Sequence, residues 1–325
     1  MEQTIEDIQQ LIANELHELE VVISTQAHSK SELANSVINH LLKAHSKRIR
    51  PTIVILSALA NGLIQDSTDH IELACIIEYL HTASLLHDDV IDHAKKRRSR
   101  DTAHTIWGNT ASILSGDFLH AKAFQMTTDL NCYSIQQVLA DATENVIEGE
   151  LEHLHVNRNI KITKMQYLNI IGAKTAKLFT LSSQLGCMLA TDDSNSIQAM
   201  AEYGHHLGII FQIVDDCLDY QESNSKLGKH IGQDIQEGKP TLPIIIAYQK
   251  CCEQDQEKLA ILFRDKSTTL NDVKPFLDKT HALKTCYDEI HTAADLARQA
   301  LYNIPKTQYR NALENLIEFA CKRTH

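Results

Sequence analysis

Asp88, Asp89 and Asp92 in LLHDDVID and Asp215, Asp216 and Asp219 in FQIVDDCLDY form two Asp-Asp-x-x-Asp clusters, each inside an apolar stretch of helical period. Residues three and four apart on a helix share a face, so the spacing predicts that the three carboxylates of each cluster converge. Like charges so placed repel by about 0.2–0.5 kcal/mol per pair on an exposed helix, and by more when partly buried. A chain that tolerates this repulsion twice is expected to hold hard cations there, and carboxylate oxygens suit Mg²⁺. Mg²⁺ gives up its water reluctantly and often bridges to substrate phosphates, so a polyphosphate is the expected ligand.

Long helices must carry these clusters, and the 3.6-residue period recurs along the chain while strand alternation does not. Helices are predicted near 3–25, 30–43, 51–64, 69–93, 110–130, 134–157, 163–190 and 195–220, then near 241–252, 270–280, 281–303 and 306–322. Pro51 suits a first helical position and Asn61-Gly62 a helix exit. At 1.5 Å per residue the stretch 69–93 would be about 37 Å long, enough to line a deep cavity. Polar breaks follow both clusters, at 94–100 and at 221–240. No low-complexity linker divides the chain, so residues 1–325 are read as a single domain: an all-α helical bundle around a deep central cavity.

Composition narrows the function classes. Eleven glycines and five prolines among 325 residues are about half the usual frequency and favour helix over turn-rich β architecture. A net charge of −11 argues against nucleic acid as a partner. The eight cysteines include no C-x-x-C pair, so neither a zinc site nor a disulfide framework is signalled, and they fit a reducing, cytoplasmic setting. The N-terminus is acidic and amphipathic, unlike a signal peptide, and no run of 18 apolar residues could span a membrane.

Cations gather near the aspartates in sequence. Lys47, Arg48 and Arg50 lie in SKRIRP, and Lys95, Lys96, Arg97 and Arg98 follow the first cluster. Lys174 lies in GAKTAKLF, and Lys229 and Lys239 follow the second cluster. Lys95, Lys96 and Lys177 read as solvated surface, the usual fate of such residues. The adjacent arginines Arg97-Arg98 read differently, because paired guanidinium groups bind phosphate oxygens bidentately. Metal-bound aspartates for one diphosphate and arginines for another would make a two-diphosphate site.

With these residues in hand, the chain resembles the trans-polyprenyl diphosphate synthases, the head-to-tail prenyltransferases, and among them the bacterial octaprenyl type. The strings KRIRP, YLHTASLLHDDVID, RR, GNTASILSGDF, KTAKLF, FQIVDDCLDY, LGK and EGKPTLP carry the resemblance, in the family's order, from about Lys47 to Pro243. It implies the isoprenoid-synthase fold and Mg²⁺-dependent elongation of an allylic prenyl diphosphate, such as farnesyl diphosphate, by isopentenyl diphosphate. The product implied is a long all-trans polyprenyl diphosphate, octaprenyl, for quinone side chains. Shorter-chain synthases and non-catalytic subunits of heteromeric synthases are the alternatives. A homodimer and transient membrane contact for product release are implied with it.

Position by position, the resemblance implies that Asp88, Asp89 and Asp92, with Asp215, Asp216 and Asp219, bind three Mg²⁺ ions that hold the allylic diphosphate, which Arg97 also touches. Lys47, Arg50, His81 and Arg98 would hold isopentenyl diphosphate without metal. His81 taken alone reads as a core histidine, but it lies two turns before Asp88 on the same face. Lys174, Thr175, Gln212, Lys229 and Lys239 would face the reacting carbons and the leaving group. Ala83 and Ser84, small residues where aromatic side chains give short products in the family, would let the growing chain pass. The chain departs from the pattern at His45-Ser46 and Ser99, where glycines are usual, at Gln233, where an acid is frequent, and at His153, where a glutamine is usual.

Three rival readings are weaker. An HD-type phosphohydrolase using His87-Asp88 needs neither the second cluster nor Arg97-Arg98. A P-loop over Gly232 to Lys239 has the wrong spacing and no strand leading in. A terpene cyclase would replace the second cluster with an Asn/Ser/Glu pattern that this sequence lacks.

Overall fold

A computed structural model describes residues 4–43, 47–64, 67–97, 100–221 and 232–323. The described residues are all-α apart from one antiparallel pair of two-residue strands. In order the chain forms α1 (Ile5–Gln10), α2 (Ala13–Gln26), α3 (Glu32–Leu42), α4 (Ile49–Ala60) and α5 (Asp69–Ile91), then the strand pair β1 (Lys96–Arg97) and β2 (Arg100–Asp101). Next come α6 (Ala103–Trp107), α7 (Asn109–Asp129), α8 (Tyr133–His155), α9 (Lys164–Ile171), a π-helical turn at Gly172–Ala176, α10 (Lys177–Met188) and α11 (Ser194–Asp219). The remainder is α12 (Gln233–Glu237), α13 (Leu242–Lys250), α14 (Glu253–Arg264), α15 (Leu270–Thr280), α16 (Ala282–Ala300), a 3₁₀ turn and α17 (Gln308–Lys322). The residues group into two compact units: Met1–Asp141 with Leu178–Gly204 and Ala300–Leu316, and Ala142–Lys177 with His205–Gln299 and Ile317–His325.

In the first unit α5 is the central element, packed by α2, α4 and α7. It is buried nearly all round, from His70 to Asp89, which explains why its apolar residues show no single stripe. Tyr79 reaches from it to donate a hydrogen bond of 2.7 Å to the carbonyl of Ile23 on α2. α4 is entered through Arg48, held at φ 45°. That left-handed backbone costs a non-glycine residue roughly 1–2 kcal/mol. Two ion pairs offset it, from Nε to Glu20 at 2.7 Å and from Nη1 to the buried Glu78 at 2.5 Å. Arg48 is thereby turned inward, its side chain 10% exposed.

A close approach within this unit gives a test of the packing. A Cβ added at Gly186 would lie 2.4 Å from the carbonyl oxygen of Val54 on α4, an atom that cannot swing aside. Gly186→Ala is therefore expected to lower unfolding free energy by about 1–3 kcal/mol. An unchanged denaturation midpoint would show that this helix contact is looser than described.

In the second unit α13 packs against α9, α14 and α15, with Leu242 to Ala247 all buried. α12 is a single short helix set between two left-handed glycines, Gly232 at φ 79° and Gly238 at φ 76°. The predicted helices match the observed ones, except that the one near 3–25 is broken at Leu11–Ile12 into α1 and α2 and the one near 163–190 is interrupted by the π-helical turn. α14, whose burial rests on Leu259 and Phe263 in an otherwise charged segment, was outside the prediction, as were the strand pair, α6 and α12.

Candidate active site

The first aspartate cluster ends α5. Asp92 is the C-cap, its backbone N–H on the Asp88 carbonyl. Asp88 and Asp92, four residues apart, remain partly exposed, while Asp89 is 1% exposed. One residue along a helix turns a side chain by about 100°, so the middle carboxylate points inward. There it meets Arg97 of β1, whose Nε donates to Asp89 Oδ1 at 2.8 Å. Burial pushes the Asp89 carboxyl above the usual carboxylate range, and the guanidinium pulls it partly back.

The same unit gathers part of the expected diphosphate group. Arg50 Nη1 donates to His81 Nε2 at 3.1 Å, and the Arg50 guanidinium lies 4.4 Å from the centroid of the Phe179 ring. Arginine can only donate, so His81 Nε2 accepts and carries no proton in this contact. A pocket beside it is lined by Arg48, Glu78, His81, Asp89, Arg97 and Arg100. Lys47 is exposed, its carbonyl accepting from Gln9 Nε2 at 2.7 Å. Arg98 lies outside the described residues, as do His45, Ser46 and Ser99. Ala83 is fully buried, and Ser84 is half-buried with its hydroxyl on the His81 carbonyl at 2.9 Å. His87 turns to α7, 3.1 Å from the Ile113 carbonyl and 3.3 Å from Asp117, away from any dipeptide role with Asp88.

In the second unit the three aspartates of α11 take three separate partners. Exposed Asp215 accepts from Arg323, which follows α17. Buried Asp216 accepts from the Tyr167 hydroxyl at 2.6 Å and from Gln212 Nε2 at 2.7 Å. Asp219 accepts the backbone N–H groups of Gln233 and Asp234, at 3.2 and 3.0 Å, and so caps the start of α12. The predicted convergence of three carboxylates thus fails for this cluster. Among the described residues no three acidic, histidine or cysteine side chains form a ready metal cage. The reason is the one that buries Asp89: adjacent helical positions cannot share a face.

Thr175 and Gln212 are expected near the reacting carbons, and here they are linked to each other and to the acid. Thr175 Oγ1 donates to Gln212 Oε1 at 2.7 Å, and Gln212 donates onward to Asp216. Thr175 and Lys174 sit on the π-helical turn, a local irregularity frequent at functional sites. α8 can approach that turn because Gly149 has no side chain: a Cβ there would lie 2.6 Å from the Cβ of Ala173. The approach lets Lys174 Nζ reach Glu150 at 2.7 Å and His153 Nδ1 at 3.3 Å. Lys239 Nζ pairs with Glu237 at 2.7 Å, and Gln233 donates to Glu237 at 2.6 Å. Lys229 lies outside the described residues.

Burial raises the Asp216 carboxyl to about 7, against the pull of Tyr167 and Gln212. A carboxyl raised on folding stabilises the fold when protonated, and that contribution is lost as pH climbs from the ordinary carboxylate range through about 7. The Tyr167 hydroxyl stabilises the ionised form, so Tyr167→Phe should destabilise the metal-free protein more at pH 8 than at pH 5. The expected loss at pH 8 is about 1–3 kcal/mol. Denaturation midpoints at the two pH values in EDTA measure it, and equal losses would show that the hydroxyl does not sense the carboxylate charge.

The donor set fits divalent metal. Both clusters offer hard carboxylate oxygens, and each already draws a cation, Arg97 onto Asp89 and Arg323 onto Asp215. Sequence reasoning missed Tyr167, Glu150, Glu237 and Arg323. Tyr167 lies 49 residues from Asp216 and Arg323 lies 108 from Asp215, so no local spacing marks them.

Comparison with known proteins places this arrangement. The polyprenyl synthetase family profile matches residues 31–280. The chain is similar to octaprenyl diphosphate synthase of Escherichia coli, 34% identical over 98% of this chain and 99% of that one. It is 36% identical to an all-trans-nonaprenyl-diphosphate synthase of Rhodobacter capsulatus, over 98% of each chain. Its fold matches a crystal structure of a polyprenyl synthase from Caulobacter crescentus complexed with calcium and isoprenyl diphosphate, with a TM-score of 0.93, 33% identity and coverage of 100% and 99%.

Proposed function

The chain belongs to the polyprenyl synthetase family and is a prenyltransferase, and from that premise we propose that it builds octaprenyl diphosphate from an allylic primer and isopentenyl diphosphate. The observation that carries the reading is the pair of aspartate clusters, each at the C-terminal end of a long helix and each attracting a cation. Similar relatives make different lengths, named octaprenyl and nonaprenyl, so length is the finer part of the proposal.

The residues divide the work. Asp88, Asp89, Asp92, Asp215, Asp216 and Asp219 are the ligands for Mg²⁺, three ions in all, and calcium in the Caulobacter structure supports a divalent metal. Metal bound there would stabilise the negative charge on the departing diphosphate, a Lewis-acid effect worth several kcal/mol. Arg97 shares that load, and Lys47, Arg50, His81 and Arg98 hold isopentenyl diphosphate. Lys174, Lys229 and Lys239 steady the leaving group. Thr175 and Gln212 offer oxygen dipoles to the allylic cation and, through Asp216, couple that surface to the metal ligand. The proton lost after condensation goes to the released diphosphate, so no dedicated base is nominated.

The whole chain is read as one catalytic domain that works as a homodimer. Ile113, Leu114 and Phe124 of α7 are exposed apolar residues that a second copy would cover. The described helices include none long and apolar enough to cross a membrane.

Incubation with farnesyl diphosphate, labelled isopentenyl diphosphate and Mg²⁺ tests the length. Chromatography of the dephosphorylated products should give one dominant C40 alcohol. A dominant product of C15 or C20 would overturn the long-chain assignment.

A further inference from the structure

Arg323 is the one described cation on the second aspartate cluster that no expected role accounts for. Its Nη2 donates to Oδ1 of Asp215, and its guanidinium carbon lies 4.7 Å from the centroid of the Phe211 ring. Phe211 precedes Asp215 by one turn of α11 and packs against Phe319 of α17, with ring centroids 6.4 Å apart. The Arg323 side chain is 14% exposed and its Nε is buried without a hydrogen-bond partner, while the Asp215 side chain is 49% exposed. The arginine is thus held over the Phe211 ring, which Phe319 backs, and its charge is aimed at one carboxylate.

The consequence rests on the metal reading proposed above. A guanidinium in contact with Oδ1 of Asp215 cancels much of the charge that draws a metal ion there and fills space beside that oxygen, so the two cations compete for the carboxylate. We propose that Arg323 is an internal cation latch, which neutralises Asp215 in the metal-free enzyme and competes with a divalent cation for that carboxylate. Metal loading at Asp215 and seating of the residue after α17 then oppose each other, and by linkage each weakens the other by the same factor. A partly exposed ion pair shifts an equilibrium by up to about fivefold, so the latch adjusts metal affinity and does not abolish it.

Mn²⁺, a paramagnetic stand-in for Mg²⁺, can be titrated into the full-length, substrate-free protein and the free ion followed by electron paramagnetic resonance. Asp215→Asn identifies which part of the binding depends on that carboxylate. Arg323→Gln is expected to tighten the Asp215-dependent binding about three- to fivefold at low salt, and by less at high salt. A residue with a merely structural role would weaken metal binding when removed. Equal or weaker binding in Arg323→Gln would overturn the latch while leaving the metal site standing. Binding that does not depend on Asp215 in either protein would overturn the latch together with the metal role of the second cluster.

Discussion

Asp88→Ala is expected to lower turnover by about a hundred- to a thousandfold, the loss seen when one element of charge stabilisation is removed from a transition state. The same change should leave the metal-free protein as stable as before, or slightly more so. Asp88 is partly exposed near the C-terminal end of α5. Alanine is the better helix former, and its introduction relieves repulsion from Asp92 four residues on. A residue kept for folding would lose stability and activity together. Stability held with activity lost is the mark of a carboxylate kept for its ligand. Steady-state kinetics beside a thermal melt in EDTA gives both numbers. Exposed Asp192, replaced by alanine, is the control and should change neither.

Ser84→Phe should shorten the product to a few isoprene units while sparing the first condensation. Ser84 lies four residues before Asp88, which places it about 6 Å along the helix axis from the anchored diphosphate. A ring there would meet the hydrocarbon tail early, because a close-packed wall yields little to an inserted aromatic. Ser84 is the cleaner site because it is half-buried and loses only a hydrogen bond to the His81 carbonyl. Ala83 is fully buried, so Ala83→Phe must also displace core atoms and should cost stability. Chromatography of the product alcohols reads the result. Unchanged long products from Ser84→Phe would mean that this face of α5 does not meet the chain.

The helices were legible because they carry local signals. The exit at Asn61-Gly62 appears as an Asn61 C-cap followed by Gly62 at φ 88°, and Pro51 lies in the first turn of α4. α5 and α11 end within a few residues of the predicted limits, because the aspartates and the polar breaks close the apolar period. α14 escaped because only Leu259 and Phe263 are buried in it, too few to mark a periodic face. The π-helical turn escaped because one extra residue in a turn leaves the apolar period almost intact.

The site was half legible. Which residues carry charge could be read from type and spacing. Where each carboxylate points could not, because the 100° between neighbouring positions sends Asp89 and Asp216 inward to partners distant in sequence. His153 illustrates the rest: it appears as a departure from the family pattern, and only the fold shows that it meets Lys174.

The central claim is metal-dependent condensation of two prenyl diphosphates by the two aspartate clusters. Its most direct measurement is transfer of label from isopentenyl diphosphate into solvent-extractable product, with farnesyl diphosphate as primer. Label should enter the extract with Mg²⁺, vanish in excess EDTA and return when Mg²⁺ is added beyond the chelator. Undiminished incorporation in EDTA, or none with Mg²⁺ present, would contradict the account.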